Sequence, residues 1–173
     1  VATVFPRNRE RGDATVSALY VLLDGATGHP RALIDGEALT LRRTAAASAL
    51  ASTYLSRRDS ATLLLIGTGA LAPHMARAHC ALRPIAKLML WGRRPERALA
   101  LAAQLRDEGL PAQALADLAQ GMALADIVSC ATTATEPVVR GAWLRPGAHV
   151  DLVGGFTPQM REGDDELIAR AEI

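Results

Sequence analysis

Cysteine is almost missing from this chain. Cys80 and Cys130 are the only two; each sits inside an apolar stretch, and neither has the paired spacing of a zinc knuckle or a redox dithiol. A reducing cytoplasm fits that usage. An excess of one charge is missing too. Nineteen basic residues face eighteen acidic ones, for a net charge of +1, and no run of Lys or Arg supplies the footprint of a nucleic-acid or anionic-membrane partner. No apolar run reaches the roughly 18 to 20 residues that a membrane helix needs, and no charged-then-apolar leader is visible. His29, His74 and His79 lack metal-ligand spacing, and no repeat or low-complexity tract interrupts the chain. An initiator Met is also missing before Val1, and the C-terminal residues read as an acidic helix followed by a new apolar run. Both ends are therefore expected to have been cut from a longer protein.

Half of the residues are hydrophobic, enough for one well-cored domain plus part of a second. TVSALYVLL (15–23) and RALI (31–34) flank DGATGHP, whose Gly and Pro content marks a hairpin turn. Thr40 then precedes LRRTAAASALASTYL, free of Gly and Pro, and is expected to N-cap a helix over about 41–56. From Thr62 the pattern alternates strand-like runs (TLLLIG, KLMLWG, AQAL, DIVSCAT, HVDLVGG) with helical stretches (ALAPHMARAHCAL, PERALALAAQLRDEG, DLAQGMA). Strands spaced by helices mean βαβ units and a parallel sheet. The expected fold class is α/β: a Rossmann-type doubly wound parallel sheet over residues 62–155, with part of an α+β domain before it.

One motif carries chemistry: Gly67-Thr68-Gly69-Ala70-Leu71-Ala72, directly after LLLI and opening a helix. Gly67 permits the tight turn, Gly69 lets backbone approach a pyrophosphate, and Ala72 lets helix pack on strand. The helix start offers N–H groups and a positive dipole end to phosphates. Bare GxGxxA is weak; between strand and helix it points to a dinucleotide site. The next strand ends about twenty residues on, where an NAD site usually carries Asp or Glu. Here stand Gly92, Arg93 and Arg94. Two guanidiniums without a carboxylate suit a 2′-phosphate, so NADPH is expected over NADH, with NAD possible; the same arginines would also suit a solvated helix face. At the next sheet-edge loops, Ala131, Thr132 and Thr133 are candidates for ribose or nicotinamide contacts, although a routine Ser/Thr loop reads the same way. Val153-Gly154-Gly155 is expected to form the nicotinamide floor.

TVFPRN, LLDGATGHPRALIDGEALTLRRTAAASALA, IGTGALAPHM and VDLVGGFTPQMRE together resemble the ornithine cyclodeaminase/mu-crystallin family of NAD(P)-dependent enzymes over essentially the whole chain. LTLRRTAAASALA is the most specific part. The resemblance implies a substrate-binding and dimerisation domain interrupted in sequence by the Rossmann unit, hence the expected division 1–58, 59–156 and 157–173, and a homodimer acting on a small imino or amino acid. It places the arginine that holds the substrate carboxylate at Arg43, with Thr44 beside it. Both are expected at a helix start, where free N–H groups would assist. By type alone, Arg42 and Arg43 read as a solvated pair. Asn8 matches a motif position of less certain role, and the family's active-site lysine would lie immediately before Val1. Phe156 stands where true ornithine cyclodeaminases carry an aspartate, and it can neither exchange a proton nor pair with an ammonium. GGFTPQMRE thus resembles the branch that reduces cyclic imines bearing a carboxylate, such as 1-pyrroline-2-carboxylate. Ornithine cyclodeaminase, alanine-dehydrogenase-like and non-enzymatic ligand-binding roles stay open. Asp151, His149 and Glu162 are proton-donor candidates by residue type only.

Overall fold

Asp24 closes the first hairpin. Its Oδ1 accepts from the N–H groups of Ala26 (3.0 Å) and Thr27 (2.9 Å), while Oδ2 takes Arg31 Nε at 3.1 Å. The flanking strands β2 (Val16–Leu23) and β3 (Pro30–Asp35) pair antiparallel, with Tyr20 opposite Ile34, as the turn chemistry predicts. A short strand, β1 (Ala2–Val4), adds to β2 with Thr3 opposite Ser17; three residues before Pro6 are too few to show an alternation in sequence. Asn8 holds the loop that follows, donating to Ala14 O (2.9 Å) and accepting from Arg11 (2.9 Å). The computed structural model describes residues 1–172, apart from the side chains of Pro6 and Arg9. It divides into two compact units, Val1–Arg43 and the chain from Thr44 onward.

Helix α1 (Gly36–Leu55) begins earlier than the sequence predicts. Asp35, not Thr40, caps it: Asp35 Oδ1 accepts from Glu37 N (2.8 Å) and Ala38 N (3.1 Å). Thr40 lies inside the helix with its hydroxyl donating to Gly36 O at 2.7 Å. Gly36 weakens a helix by propensity and so hides the start in the sequence pattern, but it is required here, because a Cβ on it would sit 2.5 Å from Ala18 Cβ. Arg43 and Thr44 are consequently about two turns into the helix, not at its start, and no free helical N–H group lies beside them.

In the second unit a five-stranded parallel sheet forms from β4 (Thr62–Ile66), β5 (Lys87–Trp91), β6 (Ala112–Ala114), β7 (Ile127–Cys130) and β8 (His149–Leu152), in the order β6-β5-β4-β7-β8. Leu63, Leu65, Leu88, Leu90 and Ile127 face α2 (Ala72–Leu82), α3 (Pro95–Asp107) and Ala45 of α1. Leu64, Ile66, Met89 and Val128 face Met122 of α4 (Leu118–Leu124) and Leu167 of α5 (Asp165–Arg170). Both faces are covered, which is why these strands read as continuous apolar runs. The strand order reverses between β4 and β7, the topological switch point where doubly wound sheets bind ligands. The expected α/β Rossmann class is the fold observed.

Two polar constructions brace this unit. At the amino edge of the sheet Asp126, 7% exposed, accepts from Ala61 N and Thr62 N (2.9 Å each) and from the guanidiniums of Arg57 and Arg145. Beneath α1, Asp151 accepts from Ser129 Oγ (2.9 Å) and Ser48 Oγ. Fully buried His79 has its Nδ1 3.3 Å from Ser52 Oγ and its Nε2 3.9 Å from Asp151.

Burial pushes the His79 pKa down to about 4, against the opposing pull of Asp151 and with a further push from His149. His149 is also lowered, mainly by burial, with Asp151 opposing and Arg83 assisting. Between pH 6.5 and 4 the unfolded chain therefore binds a proton that folded His79 refuses. Stability is complete above about pH 6.5 and falls as pH drops toward 4, by on the order of 3 kcal/mol for His79. Urea midpoints measured from pH 7 to 5 should show this slope, and His79→Gln should flatten it. An unchanged slope in that variant would remove His79 as its source.

Candidate functional site

The turn after β4 is built by constraint on one glycine and open space at another. Gly67 has φ +116 and donates its N–H to Trp91 O at 2.8 Å; a Cβ on it would strike the Ala131 carbonyl. Two residues on, a Cβ on Gly69 would meet nothing within 4 Å. Ala70 is exposed, Leu71 packs partly on the core, and α2 starts at Ala72 with Pro73 in its first turn. Among the described residues, no acceptor takes the N–H groups of Thr68, Gly69, Ala70 or Leu71. Unclaimed donors around an empty space beside a helix start suit a pyrophosphate. The residues present fit a dinucleotide.

The second strand brings its own residues beside this turn. A Cβ on Gly92 would lie 2.9 Å from Thr68 Cγ2, so the end of β5 packs directly on the glycine turn. Arg93 and Arg94 follow, both exposed. Neither guanidinium has a hydrogen bond or ion pair among the described residues. Arg94 occupies the cap position of α3 but makes no side-chain cap.

Beyond the ends of β7 and β8 the geometry revises what the loop residues do. Ala131 N still donates to Ile66 O (2.9 Å), and Val153 N to Cys130 O (2.8 Å). Thr132 does not turn its hydroxyl outward: its N–H (2.6 Å) and Oγ1 (2.8 Å) both reach Glu162 Oε1, and Oγ1 accepts from Ala134 N at 3.2 Å. Thr133 is exposed. Gly154 is buried, donating its N–H to Glu162 Oε2 at 2.7 Å, and a Cβ there would overlap the Thr132 carbonyl. Its glycine is thus required by neighbouring protein. The position with room is Gly155, whose nearest would-be neighbour is Met160 O at 3.9 Å.

Glu162 is 3% exposed. Its environment is not legible locally, because its partners lie eight residues upstream at Gly154 and about thirty upstream at Cys130 and Thr132, and a lone Glu in QMREGDD reads as solvated. Arg43 is exposed, without an acceptor among the described residues, and Thr44 is half-buried. Asp151 and His149 belong to the buried network under α1, not to the carboxyl edge. Phe156 is 74% exposed next to Gly155. Both thiols are pushed up by burial, Cys80 to about 11 and Cys130 further, with Glu162 adding to the latter; neither is a nucleophile at neutral pH. Among the described residues no three His, Cys, Asp or Glu side chains converge as a metal site, and no helix is long and apolar enough to cross a membrane.

Known proteins share this arrangement. An uncharacterized protein of Schizosaccharomyces pombe is 45% identical over 174 residues, covering 98% of this chain and 53% of its own length. Delta(1)-pyrroline-2-carboxylate reductase of Paracoccus denitrificans is 42% identical over 172 residues, covering 99% of this chain and 54% of its own. The solved structure of the Thermococcus litoralis Delta(1)-pyrroline-2-carboxylate reductase, in complex with NADH and L-proline, superposes with a TM-score of 0.90 at 35% identity, over 99% of this chain and 53% of that one. The chain spans about half the length of the curated relatives it matches. The model of the ornithine cyclodeaminase/mu-crystallin family matches residues 1–173 throughout. With the glycine turn, the switch-point sheet and that match in agreement, the chain belongs to the ornithine cyclodeaminase/mu-crystallin family.

Proposed function

We propose that this chain is the cofactor-binding half, with part of the substrate-binding half, of an NAD(P)H-dependent reductase of cyclic imino acids of the 1-pyrroline-2-carboxylate type. The observation that carries the reading is the near-complete coverage of this chain by Delta(1)-pyrroline-2-carboxylate reductases at 39–42% identity. Phe156 supports it, since an aromatic ring in place of a carboxylate offers nothing to the second amino group of ornithine. In this reading residues 1–58 belong to a substrate-binding and dimerisation domain, 59–156 to the dinucleotide domain, and 157–173 begin the return. Leu19, Val21 and Leu23 on one face of β2 and Tyr20 and Leu22 on the other are exposed, apolar surface suited to burial against other protein such as a second copy. Two cysteines that are not paired with each other suit a reducing cytoplasm.

A bound dihydronicotinamide would supply the hydride needed to reduce a C=N bond. The chain's own residues bind and orient. The N–H groups of Thr68, Gly69, Ala70 and Leu71 take the pyrophosphate. Ala131, Thr133 and Val153 line the nicotinamide end, with Thr132 and Gly154 setting the backbone there. Arg43, an unpaired cation on α1, takes the substrate carboxylate, with Thr44 beside it. Holding both reactants in register supplies much of the rate.

Arg93 and Arg94 take the 2′-phosphate, so NADPH is preferred. NADPH and NADH oxidation with 1-pyrroline-2-carboxylate tests both parts of this reading, with pyruvate plus ammonia as the open-chain comparison. Arg93→Ala with Arg94→Ala should raise KM for NADPH about tenfold or more and leave KM for NADH within about twofold, given the strength of charge-assisted phosphate bonds. Equal use of the two cofactors by the unaltered protein would overturn the 2′-phosphate assignment. Turnover of pyruvate with ammonia but not of the cyclic imine would overturn the substrate class.

A further inference from the structure

Glu162 lies outside the strand-helix repeat yet joins its two most important loops. Strand pairing between β7 and β8 ends at Cys130 and Leu152, with one last bond from Val153 N to Cys130 O. There the carboxylate takes over. Oε1 accepts from Thr132 N (2.6 Å), Thr132 Oγ1 (2.8 Å) and Cys130 Sγ (3.2 Å), and Oε2 accepts from Gly154 N (2.7 Å). A buried carboxylate with four donors and no cation within ion-pairing distance among the described residues is costly to desolvate and tolerable only because the donors are rigid. A Cβ on Gly154 would lie 2.0 Å from Thr132 O and 2.5 Å from Glu162 Oε1, so only glycine lets the Thr132 backbone and the carboxylate come this close.

We infer that Glu162 is a positioning residue for the nicotinamide half of the cofactor: its carboxylate continues the β7–β8 pairing beyond the last backbone bond and fixes the Thr132 and Gly154 backbones at one separation. At 3% exposure and with both oxygens already hydrogen-bonded to protein, the carboxylate is assigned a positioning role rather than contact with substrate. This rests on the reading that the carboxyl edge takes NAD(P). The proposed pyrophosphate and adenosine subsites at β4, α2 and β5 share no hydrogen bond with Glu162, although Gly67 packs against Ala131 and Thr132, so its effect is expected to be larger at the nicotinamide end than at the other.

The test compares two probes on the whole chain: NADPH, and 2′-phospho-ADP-ribose, which lacks only the nicotinamide. Glu162→Gln keeps the size but offers an N–H group where Gly154 N or Thr132 N donates. It should weaken NADPH binding about tenfold, the scale of one charged hydrogen bond, and leave 2′-phospho-ADP-ribose within about twofold. Thr132→Val, which removes the hydroxyl that donates to Glu162 and accepts from Ala134 N but keeps the Thr132 N–H bond, should move NADPH binding the same way by a smaller factor, and it reads the same split should Glu162→Gln not fold. Equal weakening of both probes would make Glu162 merely structural, and no change in either would also overturn the inference. Failure of the unaltered chain to bind either probe would instead sink the dinucleotide reading itself.

Discussion

Asp126→Ala should lower the stability of the second unit by about 3 to 5 kcal/mol, the cost of removing one partner from a buried ion pair. For a chain of this size each kcal/mol moves Tm by roughly 2 to 4 °C, so a drop of about 10 °C is expected in calorimetry. The reason is the arithmetic of donors. Ala61 N, Thr62 N, Arg57 and Arg145 all converge on this carboxylate. Without it Arg57 keeps Gly147 O and Asp59, and Arg145 keeps Ala125 O, but among the described residues no second acceptor takes Ala61 N or Thr62 N. The arginine side chains are 40% and 39% exposed and can partly return to water, which favours the lower end of the range. Asp126 sits at the amino edge of the sheet and the glycine turn at the carboxyl edge. NADPH affinity measured well below Tm should therefore change by less than about twofold. A stable variant, or one that loses NADPH binding while folded, would show that the Asp126 cluster has been misjudged.

Gly69→Val should have the opposite profile: NADPH binding weakened by about a hundredfold or more, with Tm nearly unchanged. Open space around the missing Cβ means that the side chain meets no protein atom. Its branched methyls instead occupy the volume through which a pyrophosphate would approach the unclaimed N–H groups. Loss of two or more such charge-assisted bonds reaches that magnitude. Gly67 is the internal control. Its φ of +116 and its closeness to the Ala131 carbonyl mean that Gly67→Val disturbs folding and binding together. If Gly69→Val still binds NADPH with near-normal affinity, the phosphates do not lie at this turn.

The dinucleotide half was legible in the sequence because its signals are local. A strand, a glycine turn and a helix follow one another without interruption from Thr62 to Leu82, and each strand buried on both faces announces itself by composition. What escaped was set by distant partners. Thr40 has the chemistry of a cap, but Asp35 takes that place through Glu37 N and Ala38 N, with Gly36 admitted to the first turn because Ala18 leaves no room for a side chain there. In the sequence Thr132 and Gly154 read as small loop residues suited to a ligand. That a glutamate from beyond the last strand claims both is a contact across about thirty residues for one and eight for the other, and no periodicity encodes it. Asp151 was readable as a strand residue, but its burial under Ser48 depends on where α1 lies.

That placement of α1 has a consequence for where the nucleotide-binding module begins as a physical object. Ser48 and Ser52 satisfy groups on β8 and α2, Arg57 satisfies Asp126, and the carbonyls of Ser52 and Thr53 receive Arg83 at 2.8 Å each. A polypeptide started at the first residue of the strand-helix repeat would keep every glycine of the fingerprint. It would nonetheless leave a buried aspartate, a buried imidazole and a half-buried guanidinium without those counterparts. The inheritable unit is therefore longer than its motif, and any recombination that transplants this nucleotide-binding half into another protein must carry the second half of the preceding helix along with it.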